Sequence, residues 1–268
     1  MNTASAASTV RFRETVLLLL ILVLAFAAFS YRLGEIPPYH NDENFYVESA
    51  RHMVESGDYL TPVYHEKKRF AKPPLFYWLV SLAYKTFGVQ LASARGVSAV
   101  FGTLCIAVTF FLARRLFGRE AALVSAFLLP GMVLHFQISR WAITDMTLNF
   151  FILLAFYFFV RGYQEEKTRP RDFLLFYGAI ALGFLTKGPP ALVIPGLTLA
   201  LFLLLRRDGA LVRQLRLGTG ALIVIAVNLP WFALMFHLHG DAFKDHILGA
   251  EIRDRIVHDT PFSGYYVG

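Results

Sequence analysis

The sequence predicts an all-α integral membrane protein, and three observations carry that reading. Hydrophobic residues make up 56% of the 268 positions and charged residues only 17%, against about 25% charged in soluble domains. The apolar residues gather in long runs free of Asp, Glu, Lys and Arg. The charges fall between those runs, and Phe alone occurs 26 times. Seven runs are expected to span the membrane: 15–31, 96–113, 121–139, 146–160, 173–186, 188–205 and 217–240. A crossing helix needs about 20 residues. Lipid offers the backbone no hydrogen-bonding partner, so helices are preferred over strands, and runs this continuous do not read as barrel strands.

The first run leads into Arg32-Leu33-Gly34 with no small-residue cleavage site close behind, so it reads as a retained span and not a signal peptide. The formal net charge is +7, but its placement between apolar runs speaks for membrane topology, and no nucleic-acid partner is expected. The single cysteine, Cys105, lies inside an apolar run and offers neither a disulfide nor a metal cluster.

Short basic loops set the orientation. With the N-terminus inside, the inside segments hold Arg11 and Arg13; Arg114, Arg115 and Arg119; Arg161, Lys167, Arg169 and Arg171; and Arg206, Arg207, Arg213 and Arg216. The segments 32–95 and 237–268 then lie outside, longer and balanced by acids. Loop 32–95 is too long for a plain connector. Ile36-Pro37-Pro38 makes a rigid turn, 43–55 reads as an amphipathic helix stopped by Gly57, and Pro73-Pro74 opens a second helix over 75–87 with the aromatic start Phe76-Tyr77-Trp78. Aromatic residues collect at membrane interfaces, so two interfacial helices are expected there. No repeat, low-complexity tract or soluble domain interrupts the chain, which reads as one transmembrane domain over 1–268, incomplete at its C-terminus.

Four features could carry chemistry. Asp42-Glu43 is an acidic pair, which by itself also reads as a helix start. Lys72, in Arg69-Phe70-Ala71-Lys72-Pro73-Pro74, could equally snorkel to headgroups. The runs beside Asp145 and Lys187 are short for spans, which places both residues at the outer boundary, where ionisable groups are costly and tend to be functional. All five residues share one side under a single topology. An acid there can take a proton from an acceptor hydroxyl, and cations can stabilise a departing phosphate. His237, His239 and His246 are spaced too irregularly to read as a metal site. The sequence has no Gly-rich phosphate loop, nucleophile elbow or Cys-x-x-Cys pair.

At this point the chain resembles the aminoarabinose-transferase-like members of the protein mannosyltransferase superfamily, lipid-linked glycosyltransferases of the GT-C fold. The resemblance covers nearly the whole chain. It rests on Asp42-Glu43 with Tyr46, Ser56-Gly57-Asp58-Tyr59, Lys72-Pro73-Pro74-Leu75-Phe76-Tyr77-Trp78 and Arg114-Arg115-Leu116-Phe117-Gly118. It continues through Thr144-Asp145-Met146, Phe184-Leu185-Thr186-Lys187-Gly188-Pro189, Pro230-Trp231 and Pro261-Phe262 before Tyr265-Tyr266.

The resemblance implies a GT-C-like bundle and an inverting glycosyltransferase of the bacterial inner membrane. Its sugar would come from a polyprenyl-phosphate donor and pass to a glycolipid (lipid A-like) or protein acceptor on the outer face. It casts Asp42 as the catalytic base, with Glu43 beside it and Asp145 assisting. Lys72, Arg255 and Lys187 would hold the donor phosphate, and Tyr46, Tyr265 and Tyr266 would contact substrate. Relatives bind zinc through a Glu before Lys-Pro-Pro and a His before the late arginine. Here those positions are Ala71 and Ile252, so no zinc or other cofactor is expected, with a different divalent metal left open, and the resemblance does not fix aminoarabinose as the sugar. Relatives also continue with further spans, so the 268-residue chain alone is expected to insert in membranes without transferase activity. Two other readings stay open from the residues: a transporter or lipid translocator, and a truncated homologue that binds lipid without catalysis. Transporters usually place ionisable sites near the midplane, where this chain has none.

Overall fold

The computed structural model describes residues 3–37, 41–164, 170–207 and 209–246. They form a helical bundle with one small hairpin. Helix α1 spans Thr3–Ser30. Helix α2 (Asn41–Ser56), the hairpin strands β1 (Val63–Tyr64) and β2 (Lys67–Lys68), and helix α3 (Leu75–Phe87) fill the first long loop. Helix α4 (Leu91–Phe117) is followed by α5 (Arg119–Leu128), α6 (Val133–Ile138), α7 (Thr144–Gln164) and α8 (Pro170–Lys187). The bundle closes with α9 (Pro190–Arg206), α10 (Gly209–Gln214) and α11 (Leu217–His246), which kinks at Gly240.

Six of the seven apolar runs fall on single helices to within two residues at their ends, and the run 121–139 does not. It is broken by a 3₁₀ turn, Leu129–Gly131, between α5 and α6. Pro130 removes a backbone donor and Gly131 lowers helix propensity, so the apolar stretch continues while the helix does not. Four segments are long and apolar enough to cross a membrane unaided: Phe12–Ser30, Leu91–Phe117, Thr144–Gln164 and Leu211–His246. α8 and α9 are shorter, at 18 and 17 residues. Leu19, Leu20, Val23 and Leu24 on α1, and Leu197, Leu201 and Leu204 on α9, point outward. Apolar patches of this kind mark a lipid-facing surface.

Helix α7 packs against α8 and α4, and α11 packs against α8. Close approach is bought by small residues at two contacts. A Cβ at Gly102 on α4 would overlap Ser139, and one at Gly220 on α11 would overlap the Tyr177 ring. Tyr177 cannot swing aside, because its hydroxyl donates to the Leu215 carbonyl at 2.9 Å. Gly220→Val should therefore destabilise the α8–α11 contact by about 1–3 kcal/mol. The check is a lowered thermal midpoint in detergent, and an unchanged midpoint would show that the helices can separate freely.

The hairpin was not expected from the sequence. Its strands pair antiparallel, Val63 with Lys68 and Tyr64 with Lys67. His65 and Glu66 turn the chain with φ of 45° and 63°, the left-handed pair that a tight two-residue hairpin requires.

Candidate active site

The two helices of the first loop meet near their N-terminal ends. The Tyr46 ring packs on Phe76 at 5.3 Å and Tyr77 at 5.4 Å between ring centres. Further along, Ser81 Oγ donates to the Ala50 carbonyl at 3.3 Å. Asp42, in the first turn of α2, and Lys72, just before α3, therefore lie at the same end of this pair, both half-buried. The Asp42 charge reaches Tyr77, whose hydroxyl burial already pushes towards a raised pKa.

Glu43 does something different from its neighbour. It is fully buried, and Arg95 at the start of α4 grips it bidentately, Nε to Oε1 at 2.7 Å and a terminal nitrogen to Oε2 at 2.8 Å. Oε1 also accepts the Ala142 backbone N–H at 2.8 Å. The same guanidinium donates to the carbonyls of Leu33 at 2.8 Å and Ile36 at 2.7 Å. With both oxygens engaged and no exposure, Glu43 ties together α2, α4, the turn after α1 and the stretch before α7. It has no face left for an acceptor hydroxyl, so the geometry speaks for a tether and against the catalytic companion expected from the pair.

Tyr46 is buried as well. Its hydroxyl lies 3.5 Å from Thr144 Oγ1, and burial holds its pKa well above the ordinary phenol value. The ring is a joint between α2, α3 and α7 more than an open substrate contact. One residue on, Asp145 meets Lys187, with Nζ 2.7 Å from Oδ1. The two remain 44% and 25% exposed, so this is an ion pair at an open end of the bundle. Lys187 thus has a carboxylate partner, where the sequence reading set it on the donor phosphate. Arg255, Tyr265 and Tyr266 lie outside the described residues.

The loop between α2 and α3 is fastened to α11. Trp231 Nε1 donates to the Leu60 carbonyl at 3.1 Å, and Trp78 Nε1 to that of Tyr59 at 2.7 Å. Lys68 Nζ is 3.2 Å from His239 Nδ1, and Thr61 Oγ1 is 2.9 Å from His239 Nε2. A lysine ammonium only donates, so Nδ1 accepts and the Nε2 proton points to Thr61. Phe70 packs with Trp231, Met235 and Phe243 beneath these bonds. Sequence reading missed Arg95, Thr144, Trp231 and His239 as partners. An arginine near the start of an apolar helix is a usable signal for Arg95, since a buried charge requires a counterpart.

Of the two positions where the resemblance implies a zinc ligand, Ala71 is buried and offers no ligating atom, and position 252 lies outside the described residues.

Similarity to known proteins agrees with this architecture. The profile of the dolichyl-phosphate-mannose-protein mannosyltransferase family matches residues 71–233. An uncharacterised protein of Aquifex aeolicus is 34% identical over 88% of this chain and 47% of its own length. An undecaprenyl phosphate-α-4-amino-4-deoxy-L-arabinose arabinosyl transferase of Pseudomonas savastanoi pv. phaseolicola is 30% identical over 95% of this chain and 48% of its own. The crystal structure of ArnT from Cupriavidus metallidurans bound to undecaprenyl phosphate superposes with a TM-score of 0.82 at 28% identity, covering 88% of this chain and 44% of that one.

A helical membrane bundle with an acid–base cluster at one end, matched in this way, is a GT-C glycosyltransferase fold. The chain belongs to the dolichyl-phosphate-mannose-protein mannosyltransferase family. It spans about half the length of the curated relatives it matches.

Proposed function

We propose that this chain forms the membrane-embedded acid–base half of a glycosyltransferase that moves a sugar from a polyprenyl phosphate to a lipid A-like glycolipid or a protein. The observation that carries the reading is the gathering at one bundle end of Asp42, Lys72 and the Asp145–Lys187 pair, in a fold whose solved relative is named as binding undecaprenyl phosphate. Asp42 takes the proton of the acceptor hydroxyl. That oxygen attacks the sugar carbon as the carbon–oxygen bond to phosphate breaks, and the polyprenyl phosphate leaves with the electron pair. A single displacement inverts the sugar carbon. Lys72 stabilises the departing charge, aided by Arg255, while Asp145, ordered by Lys187, steadies the acceptor. Tyr265 and Tyr266, outside the described residues, are the further substrate contacts that the family resemblance implies. No step runs through a metal. Basic loops at the opposite end support a cytoplasmic N-terminus and a site on the outer face of the bacterial inner membrane.

Mass analysis of glycolipids in cells with and without the complete gene tests the activity. The expected result is the loss of one sugar-modified species on deletion, and identical glycolipid and glycoprotein profiles would remove the proposal. Orientation is read separately by thiol labelling. A cysteine at Gly57 should react in intact spheroplasts, and one at Arg115 only after permeabilisation.

A further inference from the structure

Among the cations near Asp42, Arg69 is held in a way that no packing need explains. It follows β2, where its backbone N–H is pinned to the Pro62 carbonyl at 2.8 Å. Its guanidinium carbon lies 3.8 Å from the centre of the Phe45 ring on α2. Its Nε is buried and has no hydrogen-bond partner among the described residues. A desolvated guanidinium donor left unmatched is unfavourable, and the aromatic face compensates only in part, since it neutralises no donor. Stacking does fix the plane of the group. It leaves the edge, where the N–H fork lies, as the only direction in which an oxyanion can bind.

The guanidinium lies beside Tyr77, whose hydroxyl the Arg69 side chain reaches. The Arg69 charge favours the ionised forms of both Tyr46 and Tyr77, while the Asp42 charge opposes them. Arg69, Asp42 and the two tyrosines therefore share one electrostatic neighbourhood, and Lys72 follows three residues later. Three other cations at this end are held by charged or imidazole partners: Lys187 by Asp145, Lys68 by His239 and Arg95 by Glu43.

We propose that Arg69 is a phosphate-monoester ligand of this site, its stacked fork receiving the phosphate that leaves with the polyprenyl chain. The inference rests on the glycosyltransferase reading above and adds a binding residue to it. A phosphate monoester carries oxygens spaced for bidentate arginine, and a planar fork recognises it better than a point charge does. The same chemistry could be offered by a phosphate on the acceptor glycolipid, so the test separates the two sources.

The experiment uses the complete protein in nanodiscs, with tryptophan fluorescence reporting from Trp78 and Trp231 beside the segment. The probes are undecaprenyl phosphate, undecaprenol, and an acceptor glycolipid with and without its phosphates. Arg69→Gln should weaken undecaprenyl phosphate binding about tenfold or more, the scale of a charge-assisted hydrogen bond. Undecaprenol binding and the thermal midpoint should not change, and Arg69→Lys should recover part of the loss. A loss confined to the phosphorylated acceptor would support the same phosphate ligand and assign it to the acceptor. Equal binding of undecaprenyl phosphate by wild type and Arg69→Gln, with the acceptor unaffected, would overturn the proposal while leaving the glycosyltransferase reading intact. Equal loss for both polyprenyl lipids with a lowered midpoint would make Arg69 a packing residue. A wild-type protein that does not distinguish phosphate from alcohol would sink both.

Discussion

Asp42→Asn in the complete protein is expected to lower sugar transfer by about 10²–10⁴-fold, the usual contribution of a positioned general base. The substitution keeps size and shape and removes the proton acceptor. Asp42 is half-buried in the first turn of α2, so its helix-dipole contribution is only about 0.3–1 kcal/mol, and the fold should tolerate the change. Binding of undecaprenyl phosphate should survive, because the base acts on the acceptor. The measurement is turnover at saturating donor alongside donor affinity. Near-normal turnover would reduce Asp42 to a helix-start residue. Collapse of donor binding with turnover would instead make it part of the donor pocket.

Its neighbour should respond in the opposite way. Glu43→Ala is expected to cost about 3–5 kcal/mol of stability, because it leaves the Arg95 charge buried without its carboxylate. The Ala142 N–H loses its acceptor at the same time. Replacing both charges, as Glu43→Leu with Arg95→Met, removes the unpaired ion and should regain part of the loss. Recovery stays incomplete because Arg95 also serves the carbonyls of Leu33 and Ile36, which no methionine can satisfy. Thermal unfolding in detergent reads both variants. If the single Glu43→Ala variant unfolds like wild type, the buried pair is not what joins α2 to α4. One residue apart on a helix, an expected catalyst and an expected strut are thus told apart by which measurement moves.

What the sequence disclosed was largely local. The expected helices 43–55 and 75–87 lie on α2 (Asn41–Ser56) and α3 (Leu75–Phe87), because Gly57, Pro74 and Gly88 punctuate them within a turn or two. Asp145 and Lys187 were placed on one side from the short runs beside them, and they meet at 2.7 Å. What stayed hidden depends on distance along the chain or on unusual backbone. Glu43 and Arg95 are separated by 52 positions, and nothing beside Glu43 distinguishes a buried oxygen from a solvated one. The hairpin turn uses His65 and Glu66 at positive φ, where Asn-Gly or Asp-Gly would have announced it. The break at Pro130 was overridden in the reading by unbroken hydrophobicity, which measures transfer to lipid and not helical continuity.

The fastening of the first loop to α11 has a consequence for biogenesis. Leu60 and Trp231 are 171 positions apart, and translation proceeds at about 5–20 residues per second, so roughly 10–35 s pass between their syntheses. Throughout that interval Arg69 and Lys72 belong to a segment whose anchor has not yet been made. Glu43 and Arg95 can meet early in synthesis, while the segment that carries Arg69 and Lys72 waits for α11 to enter the bilayer. Chain order makes this loop late to be fastened, and a ribosome stalled before Trp231 leaves in the membrane a bundle that lacks that anchor.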